Sequence, residues 1–354
     1  MNNIIKIRQA LSENKLEAML ITGPASRLFA TGFASSAGSL LISESDAWFF
    51  VDSRYVEAAK SAISGAHVLL VTKDETFSKR INGVLKDNGI NATGFEEGSV
   101  SHAQYLEWVK EFETNLTPAQ KMINDIRAIK SRDDLEGMIK AQRLAEKTFE
   151  EILPLISTNI SEKELAAELV YRILKNGADD KAFDPIVVSG PRSCLPHGVP
   201  TNEKIGKGFL TIDFGVRLDG WCSDMTRTLC VGNPDEEMTR IYDTVLEAQN
   251  AGIRAVRGGA FGRDIDAAAR SVIENAGYGE YFGHGFGHTI GLEVHESLRA
   301  SQISEDVLPA GAVVSAEPGI YLPGRYGVRI EDLLYITENG SENITKTPKS
   351  LLVL

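Results

Sequence analysis

The sequence contains little cysteine and no long apolar run. Its three cysteines, Cys194, Cys222 and Cys230, form no CxxC pair, which argues against a disulfide framework and against a zinc knuckle. No apolar stretch reaches the roughly 18 residues of a membrane-spanning helix, and no apolar signal-peptide core follows the polar residues after Met1. We therefore expect free, buried thiols and a soluble protein of the reducing cytoplasm.

Positive charge is scarce as well. The chain has 37 Lys and Arg residues against 49 Asp and Glu, which gives a formal net charge of −12. Such a surface repels phosphate backbones and anionic lipids, so neither nucleic acid nor a membrane is expected as a partner. Three catalytic signatures are also missing: the GxxxxGK(S/T) phosphate loop, the HExxH zinc helix and the GxSxG nucleophile elbow. These absences disfavour a P-loop NTPase, a single-zinc peptidase and a serine hydrolase.

A length of 354 residues, together with a change from short predicted elements to longer helices near residue 122, predicts two domains. Residues 1–122 alternate between short apolar strands and helices, which indicates a small α/β domain. Its predicted strands are 16–22, 39–43, 47–51 and 67–72, and its predicted helices are 54–62, 77–88 and one that begins at Ile4. Gly23 and Pro24 are expected to form a turn after the first strand.

Residues 123–354 have longer helices and an element order that repeats, since in each half two helices precede a set of strands. Ser131 with Asp134 and Ser161 with Glu164 predict capped helix starts in the first half. The second half is predicted to have helices at 235–256 and 263–275. The predicted strands are 183–189, 209–216 and 221–231 in the first half and 289–294, 312–316 and 328–336 in the second. The fold class is therefore α+β, with a C-terminal domain that is duplicated.

The stretch 283–296 is the most distinctive part of the chain. It holds three of the six histidines, His284, His288 and His295, among four glycines. Histidine is the commonest metal ligand, and glycine lets backbone or ligand come close. The cluster alone is compatible with a metal site or with a structural, hydrogen-bonded group of histidines. His67 and His102 lie in ordinary surroundings and are expected to be surface or structural residues.

A predicted hairpin in the first half brings two carboxylates together. Asp219-Gly220 is the pair that a type I′ turn favours. If the turn centres there, Asp213 lies one diagonal step, roughly 7–8 Å, from Asp224 on the same face. Two carboxylates at this separation can bind one cation between them.

In the second half, Glu317 and Glu331 flank the segment 322–327 and can converge in the same way. Each ends an otherwise apolar strand, where an unpaired charge is costly. Four carboxylates and one imidazole suit two divalent ions, with manganese expected first and cobalt, iron or zinc as alternatives. Two such ions about 3.5–4 Å apart can share a bridging hydroxide and stabilise a tetrahedral intermediate.

With these pieces together, the chain resembles the Xaa-Pro peptidases of the pita-bread metallopeptidase family M24, the group that includes aminopeptidase P and prolidase. The matching segments are SGPRS at 189–193, PHG at 196–198, DFG at 213–215, SDMTRT at 223–228, the histidine stretch, EPGIY at 317–321 and GVRIED at 327–332. Their order and spacing fit from about residue 125 to the end. The resemblance implies a pita-bread catalytic domain with pseudo-twofold duplicated halves at 123–354, preceded by a smaller creatinase-type α/β domain at 1–122.

The resemblance also implies a set of metal ligands. They are Asp213, Asp224, His288, Glu317 and Glu331. Asp224 and Glu331 would be shared by the two ions, and Glu317 would also be the general base for the bridging water.

Three further residues match positions around the metals. His197 and His295 would contact the substrate or the tetrahedral intermediate, and Arg329 would support the bridging carboxylates or the intermediate. His284 would line the pocket beside the substrate or serve the structure alone.

The implied activity is that of a dinuclear-metal exopeptidase. It would cut the bond before proline at the N terminus of peptides or in Xaa-Pro dipeptides, as a cytoplasmic homodimer, and the proline preference rests on the resemblance alone. Dipeptidase and aminopeptidase P activity remain open alternatives. A methionine-type aminopeptidase is disfavoured by the creatinase-type N-terminal domain, and a non-catalytic peptide-binding module by the presence of all five ligands.

Overall fold

The computed structural model describes residues 3–354 and divides the chain into two compact units. The first unit ends at Arg127, and the second runs from Ala128 to Leu354. None of the helices in the described residues is both long and apolar enough to cross a membrane. The three cysteines are free, and Cys222 and Cys230 are buried as expected, whereas Cys194 is only partly buried.

The first unit is built on one six-stranded mixed sheet. Its strands are β1 (Ala18–Ile21), β2 (Ser39–Ser43), β3 (Ala47–Val51), β4 (His67–Leu70), β5 (Ala92–Phe95) and β6 (Asn115–Pro118). Its helices are α1 (Ile4–Glu13), α2 (Pro24–Thr31), α3 (Val56–Ala62), α4 (Phe77–Asp87), α5 (His102–Glu111) and α6 (Gln120–Ala128), whose last residue falls in the second unit. The strand order is β4-β3-β2-β1-β5-β6, in which β2 is antiparallel to both neighbours and the other pairs are parallel.

The predicted hairpin of this unit is confirmed at its predicted bounds, since β2 and β3 pair antiparallel and are buried along their whole length. The expectation of a simple turn at Gly23 and Pro24 is wrong. Pro24 opens α2, because the ring of proline fixes a helical φ and the first helical residue needs no N–H partner. The segment from β5 to β6 carries a strand–helix–strand unit for which no elements were predicted.

The second unit contains four long helices and several small antiparallel sheets. The helices are α7 (Arg132–Ile152), α8 (Glu162–Lys175), α9 (Glu236–Ala255) and α10 (Gly262–Asn275). The strands of its first half are β7 (Asp180–Lys181), β8 (Ile186–Ser189), β9 (Gly208–Phe214), β10 (Val216–Leu218), β11 (Trp221–Cys222) and β12 (Met225–Val231). Those of its second half are β13 (Ala260–Phe261), β14 (Gly287–His288), β15 (Arg299–Ala300), β16 (Val307–Leu308), β17 (Val313–Ala316), β18 (Gly319–Leu322), β19 (Tyr326–Arg329), β20 (Asp332–Thr337) and β21 (Gly340–Asn343).

Each half packs a helix pair against an antiparallel sheet. In the first half, α7 and α8 share a core with the sheet β12-β9-β8, and in the second, α9 and α10 share one with β17-β20-β21 and the hairpin β18-β19. Both predicted capping boxes are present: Ser131 and Asp134 cap α7, and Ser161 and Glu164 cap α8. Each cap supplies hydrogen bonds that the first helical turn lacks, worth about 1 kcal/mol.

One predicted strand of the second half is wrong and another is interrupted, and both differences fall beside predicted metal ligands. Residues 289–294 are irregular after a bridge at Thr289, because Gly291 bonds back to Glu293 and also accepts from the N–H of Cys222. The predicted strand 328–336 is broken between β19 and β20, where Glu331 instead bonds through its N–H to Thr226. The backbone thus leaves the strand ladders just after His288 and at Glu331, two of the predicted metal ligands.

Candidate metal centre

A hairpin of the first half places Asp213 and Asp224. Asp219 and Gly220 both have positive φ, of 51° and 83°, as a type I′ turn requires. The register that follows pairs Leu218 with Trp221 and, further along, Asp213 with Thr226. Asp224 therefore lies two residues from the direct partner of Asp213, in the predicted diagonal relation.

The second half brings up the other groups from three separate segments. Glu317 follows β17, Glu331 lies between β19 and β20, and His288 ends the short strand β14. Ligand atoms of Asp224, His288 and Glu331 all lie within 4.8 Å of one another. His288 Nε2 lies 3.2 Å from Oε1 of Glu317 and 3.8 Å from Oδ2 of Asp224. The five side chains predicted as ligands thus line one pocket, together with Arg329.

Arg329 links carboxylates from both halves. It is buried, and its Nη2 donates to Oδ2 of Asp213 at 2.6 Å. Its Nε donates at 3.1 Å to the hydroxyl of Thr226, which in turn donates to Oε2 of Glu331 at 2.7 Å. Burial opposes the charge of Arg329, but the surrounding Tyr321 and carboxylates raise its pKa well above the usual value. Arg329 is therefore a fixed cation that orients two of the predicted ligands.

The pKa values of the carboxyl groups diverge across the site. Burial, followed by repulsion from Glu331 and Asp213, raises the pKa of Asp224 well above its ordinary value. Burial is also the main cause that raises the pKa of Glu331, with the charges of Glu317 and Asp213 next. Burial also acts to raise the pKa of Glu317, but opposite effects outweigh it, and the hydrogen bond and charge of His288 are the largest of these. The pKa of Glu317 is therefore lowered to about 2. Without a cation, the site accommodates all its negative charges poorly.

Three carboxylate oxygens of the site test whether it suits a metal. Oδ1 of Asp213, Oδ1 of Asp224 and Oε1 of Glu331 are buried and have no hydrogen-bond partner in residues 3–354. Native proteins seldom leave such atoms unpaired, because desolvation without a partner is costly. Hard oxygen donors with one imidazole are a donor set that suits divalent cations. The residues present therefore fit a metal centre.

The three histidines of the stretch 283–296 take different positions. The ring of His295 lies 4.1 Å from that of His288, centroid to centroid, and burial, followed by the charges of His288 and Arg299, lowers its pKa to about 4. His284 instead contacts Tyr321, with 2.9 Å between its Nε2 and the hydroxyl oxygen. Since Tyr321 accepts a hydrogen bond from Arg329 at 2.7 Å, its own proton is free to be donated to His284. His284 thus lies at the end of a hydrogen-bonded chain that reaches Asp213.

An ion pair in the interior holds the irregular part of the histidine stretch. Nζ of Lys130 lies 2.5 Å from Oε2 of Glu296, and both side chains are buried. The N–H of Glu296 also bonds to the carbonyl of Thr289. These contacts bend the chain back on itself, which brings His295 beside His288 instead of continuing a strand.

The pocket that the carboxylates line has a volume of about 960 Å³. His197 lies in an exposed turn at its edge. Arg299 also lines it and has no carboxylate within ion-pair distance in the described part of the chain, its Nη1 donating to the carbonyls of Glu296 and Leu298. Phe183 and Pro185 contribute apolar surface to the lining of the pocket.

Thr226, Ser315, Tyr321 and Arg299 belong to the site although the sequence patterns predicted no role for them. Strand periodicity could have found two of them, because Thr226 follows Asp224 by two residues and Ser315 precedes Glu317 by two, so each pair shares a face. Ser315 indeed donates to Oε1 of Glu317 at 3.0 Å. No local pattern marks Arg299 or the contact of Tyr321 with His284, since both depend on how distant segments meet.

Comparison with known proteins fits this geometry. The model of metallopeptidase family M24 matches residues 136–338, and that of the Creatinase/Prolidase N-terminal domain matches residues 4–129. The chain belongs to the M24 family and is a metallopeptidase, with the creatinase-type domain preceding the pita-bread domain as the resemblance implied.

Similar proteins cover the whole chain. The Xaa-Pro dipeptidase of Pyrococcus horikoshii is 38% identical over 98% of this chain and 97% of its own length. The solved structure of the Xaa-Pro dipeptidase from Bacillus anthracis has a TM-score of 0.95 at 39% identity, over 99% of both chains. That of the X-Pro aminopeptidase from Thermotoga maritima MSB8 has a TM-score of 0.92 at 34% identity, over 99% of this chain and 100% of the other.

Proposed function

We propose that the protein hydrolyses the peptide bond before proline in Xaa-Pro dipeptides, with two divalent metal ions. The observation that carries this proposal is the group of five predicted ligands, three of whose oxygens lack a partner in residues 3–354, at the base of a pocket. The names of the relatives from P. horikoshii and B. anthracis support the substrate class.

The proposed ligands are the five predicted from sequence. Asp224 and Glu331 would be shared between the ions, Asp213 would complete one site, and His288 with Glu317 would complete the other. Nδ1 of His288 lies 3.3 Å from the carbonyl oxygen of Thr289, which favours the tautomer that leaves Nε2 free for a metal. When bound, the ions would supply an activated water and stabilise negative charge at the scissile carbonyl. Manganese is the proposed metal, with cobalt, zinc or iron as alternatives.

Glu317 is proposed as the residue that moves the proton. Its low pKa keeps it ionised near neutral pH, so it can accept the proton of the attacking water and pass it to the departing proline nitrogen. Oε1 already accepts from Ser315 and lies beside His288, which leaves Oε2 for the proton. The hydrogen bond from Ser315 helps to hold the carboxylate in place.

Two histidines and an arginine are proposed to hold the substrate. The low pKa of His295 makes its imidazole neutral near pH 7, so it can donate one hydrogen bond without adding charge. His197, at the edge of the pocket, would contact the substrate from the other side. Arg299 is a pocket cation without a carboxylate partner in the described chain, which suits the C-terminal carboxylate of a dipeptide.

A second candidate is cleavage of longer Xaa-Pro peptides. The pocket lies at the upper end of the range of about 300–1,000 Å³ for small-ligand sites, which leaves room for a residue beyond the proline. The similarity to the T. maritima X-Pro aminopeptidase supports this candidate as well. A cytoplasmic location and a homodimer remain predictions.

The test is an assay of Ala-Pro, Ala-Pro-Ala and Ala-Ala with Mn²⁺. The dipeptidase proposal predicts cleavage of Ala-Pro alone, whereas equal cleavage of Ala-Pro-Ala would favour the second candidate. The Asp224→Ala variant serves as the control for a contaminating peptidase. If the wild type leaves both proline substrates intact with manganese, cobalt, zinc and iron, the proposed function is wrong.

A further inference from the structure

A buried glutamine of α9 contacts the backbone beside two of the proposed ligands. Gln249 is completely buried, and its Nε2 donates to the carbonyl oxygen of Ala316 at 2.9 Å and to that of Ile330 at 3.1 Å. Ala316 directly precedes Glu317, and Ile330 directly precedes Glu331. One side-chain amide thus holds the two segments that deliver the glutamates.

The amide is suited to this bridging position because its NH₂ group has two donors, one for each carbonyl. The link lies at a short gap between two strand ladders, since β17 ends at Ala316, which pairs with Asp332, and β19 ends at Arg329, which pairs with Gly319. Regular strand pairing thus flanks Glu317 and Glu331 on both sides but includes neither residue, and their N–H groups bond instead to the carbonyls of Phe286 and Thr226.

The orientation of the amide is itself fixed. Nζ of Lys349 donates to Oε1 of Gln249 at 2.9 Å and lies 3.0 Å from Oδ2 of Asp332. The ammonium group can face only the acceptor oxygen, so the NH₂ group must face the two carbonyls. Asp332 is held in turn by Nη2 of Arg227 at 2.8 Å, and Nη1 of Arg227 donates to the carbonyl of Glu331.

Packing alone does not account for a glutamine at this position. Its neighbours on the buried face of α9, Val245 and Ala248, are apolar and belong to the core of the second half. An amide buried among such residues costs free energy unless its polar atoms find partners. The two carbonyls and Lys349 supply partners for both polar atoms of the Gln249 side chain. An apolar residue of similar size could not bond to these three groups.

We propose that Gln249 is a positioning residue, which sets the separation of Glu317 and Glu331 for metal binding and is locked by Lys349. It touches neither the proposed metals nor the substrate and acts through the backbone. The proposal rests on the proposed metal centre, but not on the choice of substrate.

The test measures Mn²⁺ affinity by calorimetric titration of Gln249→Met, which keeps the length of the side chain and removes both donors. Loss of a group that orients metal ligands typically weakens metal affinity about 10–100-fold, and we expect a change in this range. The kcat for Ala-Pro should fall and recover partly at high Mn²⁺, while the KM changes little because the pocket is untouched.

A matched control is Gln142→Met. Gln142 is likewise a completely buried helical glutamine, in α7, and its amide has no hydrogen-bond partner in residues 3–354. This variant is expected to bind Mn²⁺ like the wild type. If Gln249→Met does not fold, Gln249→Asn replaces it, because its shorter amide can hold only one of the two carbonyls and should weaken binding several-fold.

Wild-type affinity in a folded Gln249→Met or Gln249→Asn variant would overturn the proposal, as would an equal loss of affinity in Gln142→Met. Tight Mn²⁺ binding by a wild type that cleaves no Xaa-Pro substrate would refute the proposed function alone. A wild type that binds no divalent ion would refute both.

Discussion

Gly215 faces the carbonyl oxygen of Ser223 so closely that a Cβ atom at position 215 would lie 2.0 Å from it. This contact lies between Asp213 and Asp224 in the hairpin of the first half. The atom nearest to that Cβ belongs to the backbone, so it cannot swing aside as the end of a flexible side chain could.

Gly215→Ala is therefore expected to push the two hairpin strands apart. We expect a lower Tm and at least a tenfold loss of Mn²⁺ affinity, since both proposed aspartate ligands would move. Gly206→Ala is the control, because a Cβ there meets nothing within 4 Å. Calorimetry of both variants checks this, and a Gly215→Ala protein with wild-type affinity would contradict the geometry.

Replacing Asp224 by asparagine should act in opposite directions on the two forms of the protein. The Mn²⁺-loaded enzyme should lose roughly 100-fold or more in activity, because a direct ligand matters at least as much as the groups that orient it. The metal-free variant should have a higher Tm than the metal-free wild type, because burial and three neighbouring carboxylates disfavour the charge of Asp224. Melting curves with EDTA test this, and a lower Tm would contradict it.

Metal binding should depend on pH through Asp224 and Glu331. Their raised pKa values mean that both groups keep their protons above the ordinary carboxyl range, whereas a metal ligand must be deprotonated. Apparent Mn²⁺ affinity should therefore rise with pH above about 4.

The raised pKa values of Asp224 and Glu331 also determine how the stability of the metal-free fold changes with pH. A carboxyl group whose pKa is higher in the folded than in the unfolded state stabilises the fold at low pH, and this contribution is lost as pH rises through the folded value. The Tm difference between Mn²⁺-loaded and EDTA-treated protein should therefore widen with increasing pH. A difference that is constant with pH would count against proton-coupled binding.

Arg299→Leu should discriminate between substrates by their C terminus. Losing a hydrogen bond to a charged group costs about 1.5–3 kcal/mol, so the KM for Ala-Pro should rise roughly 10–100-fold. The KM for Ala-Pro amide, which lacks the carboxylate, should change little. Arg132→Leu, at an exposed ion pair of α7, is the control for loss of a cation. An equal rise in KM for Ala-Pro and for its amide in Arg299→Leu would contradict the proposed role of Arg299.

Lys130→Met should destabilise the fold strongly, because it leaves the charge of Glu296 buried without this partner. The expected loss in the free energy of unfolding is about 3–5 kcal/mol, and the added change Glu296→Gln should recover part of it. Lys147→Met breaks an ion pair of 3.9 Å whose lysine is exposed and should cost no more than about 0.5 kcal/mol. Urea denaturation of the three variants checks this order.

The sequence alone determined the hairpin that carries Asp213 and Asp224. Asp219-Gly220 fixes the turn, the turn fixes the register, and the register fixes the face on which each carboxylate lies. The capping boxes of α7 and α8 were equally accessible, because their hydrogen bonds join residues three apart. The resemblance carried by the motifs then implied the fold of both domains.

Only the tertiary structure decided how the second half reaches the site. Residues 289–294 have the apolar pattern of a strand, but the buried pair of Lys130 and Glu296 bends them away from the ladder. The breaks beside Glu317 and Glu331 are bridged by Gln249, a residue more than sixty positions from either carbonyl that it binds. Such contacts depend on which distant segments meet in space, and no local pattern of residues records that.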